Sequence, residues 1–272
     1  MFDQRVIIAV LALLAFVTIG WLVYQKRKTD YSWIQFSFWV TAKCLTHFLW
    51  RTTYTNPVPE SAYRGVIFVC NHRSGIDPFF LQVLCKRPIR WMVAKEYCEH
   101  RVFGWFLRIC EVIPVSRGGI DTSATKAAIR CAENGGMIGM FPEGRLNMTE
   151  EFMLPVRPGA VLVALRTGTP LLPCYIDGAP TRGTAMSSFF MRARVRVSFG
   201  ELIDVSEYQD AEKKDAEKSD QLVVEIMTRA LLEIAKLAGR EDYVPKFAGR
   251  KWRPSEEEVR NHRDEKLKRD MT

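Results

Sequence analysis

The chain has 272 residues, of which 47% are hydrophobic and 26% charged, with a formal net charge of +8. That is enough apolar material for one sizeable core, and the basic balance suits nucleic acid, anionic substrates or an anionic membrane surface equally well. The seven cysteines, at 44, 70, 85, 98, 110, 131 and 174, are scattered, odd in number and without a C-x-x-C pair. They exclude a disulfide framework and argue against zinc, and they read as reduced core thiols in a cytosol-facing protein.

The first element is a membrane anchor over residues 6–24, VIIAVLALLAFVTIGWLVY, nineteen residues without a charge. At about 1.5 Å per residue it spans roughly 28 Å, close to the hydrocarbon thickness of a bilayer. Lys26, Arg27 and Lys28 follow at once, and only Asp3 and Arg5 precede it, so the positive-inside rule puts residue 26 onward in the cytoplasm. A secretory signal peptide is the competing reading. Against it, the apolar run is longer than a typical h-region, the charge bias is reversed, and no A-x-A site follows Tyr24. Residues 33–51, WIQFSFWVTAKCLTHFLWR, are aromatic-rich but carry Gln35, Lys43 and His47. This pattern predicts an amphipathic helix in the membrane interface, with Trp33, Phe36, Trp39 and Val40 toward lipid. A core helix with several aromatics is the alternative. His47 reads as a solvated side chain rather than a ligand.

TNPVPE at 55–60 is a linker signal. It divides residues 1–54, with the anchor and interfacial helix, from a globular domain over 55–240. Predicted strands are 65–70, 90–94, 111–115, 136–141, 170–176 and 193–199. Predicted helices are 78–85, 102–110, 122–133, 158–166 and roughly 206–238. Asp121 can cap the helix at 122, and Asn134-Gly135 can end it. Pro158 suits a first helical turn, and Gly168 sits just past the last. Strand–helix alternation predicts an α/β fold, a mixed, largely parallel central sheet flanked by helices. The tail over 241–272 is highly charged and reads as a solvated, partly ordered segment.

NHRSGIDP, residues 71–78, follows the apolar run VIFVC at 66–70. Asp77-Pro78 reads as an N-cap and first helical residue, which puts His72 on a strand-to-helix loop. Ligands gather at such strand ends. A histidine there can act as a general base if a carboxylate fixes its ring and tautomer. A capping aspartate beside an incidental histidine is the plain alternative. Ser74 is a conceivable nucleophile, but no G-x-S-x-G surrounds it. Three further stretches bear on the choice. VIPVSRGG at 112–119 ends a strand with Arg117, a natural phosphate clamp. MFPEGRLN at 140–147 offers Glu143 as a hydroxyl acceptor, Gly144 for backbone approach to an anion, and Arg145 for charge. LLPCYI at 171–176 is an apolar strand with Pro173 near its middle.

In this order, these four blocks resemble the glycerolipid acyltransferase family, which includes the lysophosphatidate acyltransferases. The blocks are Asn71-His72 with Asp77, then Arg117, then Phe141-Pro142-Glu143-Gly144, then Pro173. The resemblance covers about residues 60–200. It implies that His72 is the base and Asp77 orients it, and that a lysophospholipid hydroxyl attacks an acyl thioester directly. It also implies that Arg117 and the Glu143-Gly144-Arg145 turn hold the acceptor's phosphate and glycerol. The expected acceptor is 1-acylglycerol-3-phosphate, giving phosphatidic acid. No cofactor or metal is expected, and the acyl donor is acyl-CoA or an acyl-carrier protein. Expected partners are membrane lipids, the lysophospholipid and the acyl-carrier protein, with no nucleic acid.

The third block departs from the common F-P-E-G-T-R, because Arg145 follows Gly144 directly. That resembles the acyltransferase domain of the acylglycerophosphoethanolamine enzymes and leaves lysophosphatidylethanolamine as an alternative acceptor. Over 187–197, SSFFMRARVRV, Arg194 and Arg196 alternate with Val195 and Val197. Phe189, Phe190 and Met191 are read as dipping into lipid, with the arginines on lipid phosphates or an acidic carrier. A solvated edge strand is the alternative. Two other function classes are weighed: a non-catalytic membrane lipid-binding protein, which needs neither His72 nor Asp77, and a lipid hydrolase, which lacks its nucleophile motif.

Overall fold

The computed structural model describes residues 4–56, 58–60, 62, 65–101, 103–116, 121–181, 187–208 and 216–249. VIFVC forms β2 (Val66–Cys70), in which every residue is buried. A strand covered on both faces reads as an unbroken apolar run rather than an alternating one, and β2 takes the centre of a seven-stranded sheet ordered β1-β7-β6-β2-β5-β3-β4. The other strands are β1 (Thr53–Thr55), β3 (Ile89–Ala94), β4 (Ile113–Val115), β5 (Met137–Met140), β6 (Leu171–Asp177) and β7 (Arg196–Phe199). All neighbours are parallel except β6 and β7. The predicted mixed, largely parallel sheet is therefore present.

Crossover helices link the parallel strands: α3 (Asp77–Gln82), α4 (Lys95–Cys98) with α5 (Gly104–Ile109), α6 (Thr122–Glu133) and α7 (Gly159–Thr167). Alternate residues of β2 serve opposite faces. Ile67 and Val69 join one core with α6, α7 and α8 (Ala216–Leu237). Val66, Phe68 and Cys70 join the other, with Phe80, Leu81, Trp91 and Trp50. α6 has the predicted bounds because Asp121 accepts from the Ser123 and Ala124 amides at its start and Gly135 takes φ +68° at its end. Gly168 closes α7 with the same φ.

The N-terminal helix α1 (Gln4–Arg27) is long and apolar enough to cross a membrane and has no fully buried residue. The next helix, α2 (Trp33–Cys44), corrects the sequence reading. Phe36 and Trp39, expected to face lipid, are 4% and 8% exposed and pack with Tyr31, Leu22 and Val40. The chain after the anchor is tied to the domain. The Tyr31 hydroxyl donates to the Cys85 carbonyl at 2.7 Å, and Gln35 Nε2 donates to the Ile109 carbonyl at 2.7 Å. Those two bonds turn one aromatic side of α2 inward and leave Trp33 and Ile34 exposed. β1, for which the sequence predicted no strand, pairs with β7. β7 is thus not an edge strand. Arg196 on it faces Asp177 at 3.1 Å, and Phe189 packs against Phe79 and Trp50 while Phe190 stays exposed.

Candidate active site

Of three parallel neighbours, β2 and β5 end side by side while β6 runs on past them to Asp177, and the loops after β2 and β5 carry His72, Asp77 and the Glu143-Gly144-Arg145 turn. Asn71 continues β2 in function if not in form. Its Oδ1 accepts from the Ile176 amide at 2.8 Å and its Nδ2 donates to the Ile176 carbonyl at 2.9 Å. This side chain takes the place of the backbone pairing that ends at Cys70, and it fixes where His72 leaves the sheet.

His72 is held from four sides. Its Nδ1 lies 3.0 Å from Asp77 Oδ2, its amide donates to Glu143 Oε1 at 2.8 Å, and its carbonyl accepts from the Asn147 amide at 2.7 Å. Its ring stacks on Phe141, centroids 3.8 Å apart and planes 10° from parallel. The imidazole is 17% exposed, whereas Asp77 is fully buried.

Asp77 is not the N-cap that the sequence suggested. It is the first residue of α3, after Ile76. Its Oδ2 reaches back to accept from the Arg73 and Ser74 amides, both at 2.8 Å, as well as facing His72. The carboxylate therefore closes the loop in front of it. An ionised carboxylate offers only acceptors, so the network assigns the proton at the shared contact to His72 Nδ1 and leaves the Nε2 lone pair as the basic atom. Ser74 is 2% exposed and its hydroxyl donates to the Pro180 carbonyl at 2.6 Å. It is turned into the protein, which removes it as a nucleophile.

The turn after β5 also differs from expectation. Glu143, expected to meet a substrate hydroxyl, is 3% exposed, and its second oxygen accepts from the Leu154 amide at 2.9 Å. Both oxygens are thus engaged with backbone, one of them beneath His72. Burial pushes the Glu143 carboxyl up to about 7, against the pull of the two amides and Arg73. Gly144 takes φ +68° with open space at its missing side chain, and its amide donates to the Phe141 carbonyl at 3.0 Å. Glycine is required there by the left-handed turn, and its own N–H is spent inside that turn rather than pointed at an anion. Arg145 follows, half-buried. Arg117 lies outside the described residues.

Sequence reasoning missed the side chains that brace this turn. Asn147 is 2% exposed, accepts from the Thr149 amide at 3.0 Å and donates to the Glu151 carbonyl at 2.9 Å. Arg73 donates to the Thr149 carbonyl at 2.7 Å. The start of the tail folds back on the same loop, where Val156 pairs with Phe247 and Lys246 meets Glu151 at 3.0 Å. An Asn two residues before a Thr is a recognisable turn signal, but nothing in the sequence says that it clamps residue 72.

The chain is similar to known proteins in sequence and in fold. The Acyltransferase family model matches residues 51–177. The 1-acyl-sn-glycerol-3-phosphate acyltransferase of Streptococcus pneumoniae is 29% identical over 155 residues, 56% of this chain and 55% of that protein. The enzyme of the same name from Bacillus subtilis is 26% identical over 152 residues, 56% of this chain and 73% of its own. The crystal structure of the 1-acyl-sn-glycerophosphate (LPA) acyltransferase PlsC from Thermotoga maritima shares the fold. Its TM-score is 0.55 at 18% identity, over 82% of this chain and 90% of that one.

Proposed function

We propose that this chain, whose residues 51–177 match the Acyltransferase family model, moves an acyl group from a thioester to the free hydroxyl of a lysophospholipid, with 1-acylglycerol-3-phosphate as acceptor and phosphatidic acid as product. The observation that carries this reading is His72, locked by Asp77 and Phe141 with Nε2 left as the basic nitrogen. Nε2 takes the proton of the acceptor hydroxyl as its oxygen bonds to the thioester carbonyl carbon. The tetrahedral adduct collapses, the carbon–sulfur bond breaks, and the leaving sulfur receives the proton back from Nε2. Oxygen replaces sulfur on the acyl carbon, a thiol is released, and His72 returns to its starting state. The acceptor phosphate is assigned to Arg117 and Arg145. Glu143 holds the His72 backbone rather than the substrate. The names of the relatives support the acceptor, and the arginine directly after Gly144 keeps lysophosphatidylethanolamine as the second acceptor to try. In this reading α1 serves as the anchor, and the basic residues 26–28 support a domain on the cytoplasmic face.

The test is acyl transfer by detergent-purified protein offered several lysophospholipids, each with acyl-CoA and with acyl-carrier-protein donors, and products read by mass spectrometry. Diacyl product that falls a hundredfold or more in His72→Ala supports the base, and the productive pair names headgroup and donor. No diacyl product with any pair, or equal product from His72→Ala, rejects it.

A further inference from the structure

A layered support lies behind the His72 ring. Trp91 on β3 and Gly139 on β5 are register partners. A Cβ on Gly139 would fall well inside van der Waals range of the Trp91 ring, so the glycine provides the space in which the indole lies. Phe141 lies just past the end of β5, two residues beyond Gly139, and packs against the same core as Trp91. Trp91 stacks on Phe141 with centroids 4.9 Å apart and planes 14° from parallel, and Phe141 stacks on His72. Three near-parallel rings therefore run from the middle of the sheet to the imidazole. Trp91 is 5% exposed, and its Nε1 has no hydrogen-bond partner among the described residues. Packing alone sets where the indole sits.

A single hydrogen bond from Nδ1 to Asp77 anchors one corner of the imidazole but lets the ring rock about the N···O line. A flat surface against the ring face removes that rocking. We propose that Trp91, seated on Gly139 and acting through Phe141, is a positioning residue that sets the plane of the His72 imidazole and hence the aim of Nε2. Its consequence for catalysis rests on the reading of His72 as the base, whereas its effect on the ring does not.

The test combines kinetics with NMR of the full chain in detergent, labelled at histidine Cε1. The chain has four histidines, and His72→Gln identifies the resonance. In the wild type the Cε1 proton is shifted by the ring current of the stacked Phe141. Trp91→Leu should move that resonance and lower kcat roughly tenfold with KM unchanged, as expected for a misaimed base. Trp91→Phe, which restores a flat face, should recover most of the rate. Gly139→Ala should also move the resonance in the wild type but add little in the Trp91→Leu background, because both act through the same ring. An unmoved resonance in Trp91→Leu, a fall in kcat that Trp91→Phe does not rescue, or strictly additive effects of the two changes overturns the proposal. Full activity of His72→Ala removes the base assignment, and the resonance of Trp91→Leu still decides whether Trp91 positions the ring.

Discussion

Asn71 and Ile176 exchange two hydrogen bonds, side chain to backbone, in a place where neither can reach water. Asn71→Ala leaves the Ile176 amide and carbonyl facing an apolar gap, so it should cost about 2–4 kcal/mol and release the start of the His72 loop. Asn71→Asp keeps the acceptor but sets a carboxylate oxygen against the Ile176 carbonyl and should be no better. Thermal unfolding in detergent measures this. A melting temperature equal to wild type for Asn71→Ala contradicts it.

Asp77 should separate fold from rate. In Asp77→Asn the amide oxygen can still accept from the Arg73 and Ser74 amides, and the NH2 group falls where Oδ1 now has no partner. The loop should survive while the negative charge behind the imidazolium is lost. The expected result is a drop in kcat of about a hundredfold or more with little change in melting temperature. Asp77→Ala should lower both, because two buried amides then lack an acceptor. An Asp77→Asn enzyme with wild-type kcat would show that Asp77 only shapes the loop.

Glu143 gives the site a pH signature. Burial raises its folded pKa from an ordinary 4.5 to about 7. Between those two values the folded protein holds more of this proton than the unfolded chain does, so the contribution to stability falls as pH rises through the window and levels off above it. Glu143→Gln removes this titration. It also turns an NH2 group toward one of the two amides that Glu143 serves, at a cost of about 1–3 kcal/mol. Melting temperature against pH should show a downward slope from about pH 4.5 to about pH 7 in the wild type, reduced in Glu143→Gln. Parallel slopes would mean that the group stays ionised throughout.

Much of this architecture could be read from local sequence. VIFVC announced a doubly buried strand, and Asp121 with Asn134-Gly135 bracketed α6 to the residue, because caps and glycines act within a few positions. The contact of His72 with Asp77 could be anticipated for the same reason, the two being five apart on one loop. β1 was missed, since three residues carry no period. For Glu143 the motif gives the residue type, and only the fold shows that its carboxylate turns inward to amides 71 and 11 residues away. Trp91 was passed over because its stacking needs the register of β3 on β5, which no local pattern encodes.

α2 allows the membrane reading to be tested apart from the fold. One side of the helix, Phe36 and Trp39, is buried in the protein, with ring centroids 5.7 Å apart, while Trp33 and Ile34 are 61% and 56% exposed. Trp39→Ala should therefore destabilise the chain by about 3 kcal/mol or more, as for other buried aromatics. Trp33→Glu with Ile34→Glu should leave the melting temperature near wild type, since neither side chain is part of a buried cluster. If α2 lies in the interface, the same pair of changes should weaken binding of a variant lacking α1 to anionic vesicles, because two apolar contacts with lipid become charged. A melting temperature is read first to confirm that this shortened variant folds. Vesicle binding unchanged by the double substitution would mean that Trp33 and Ile34 make no contact with lipid.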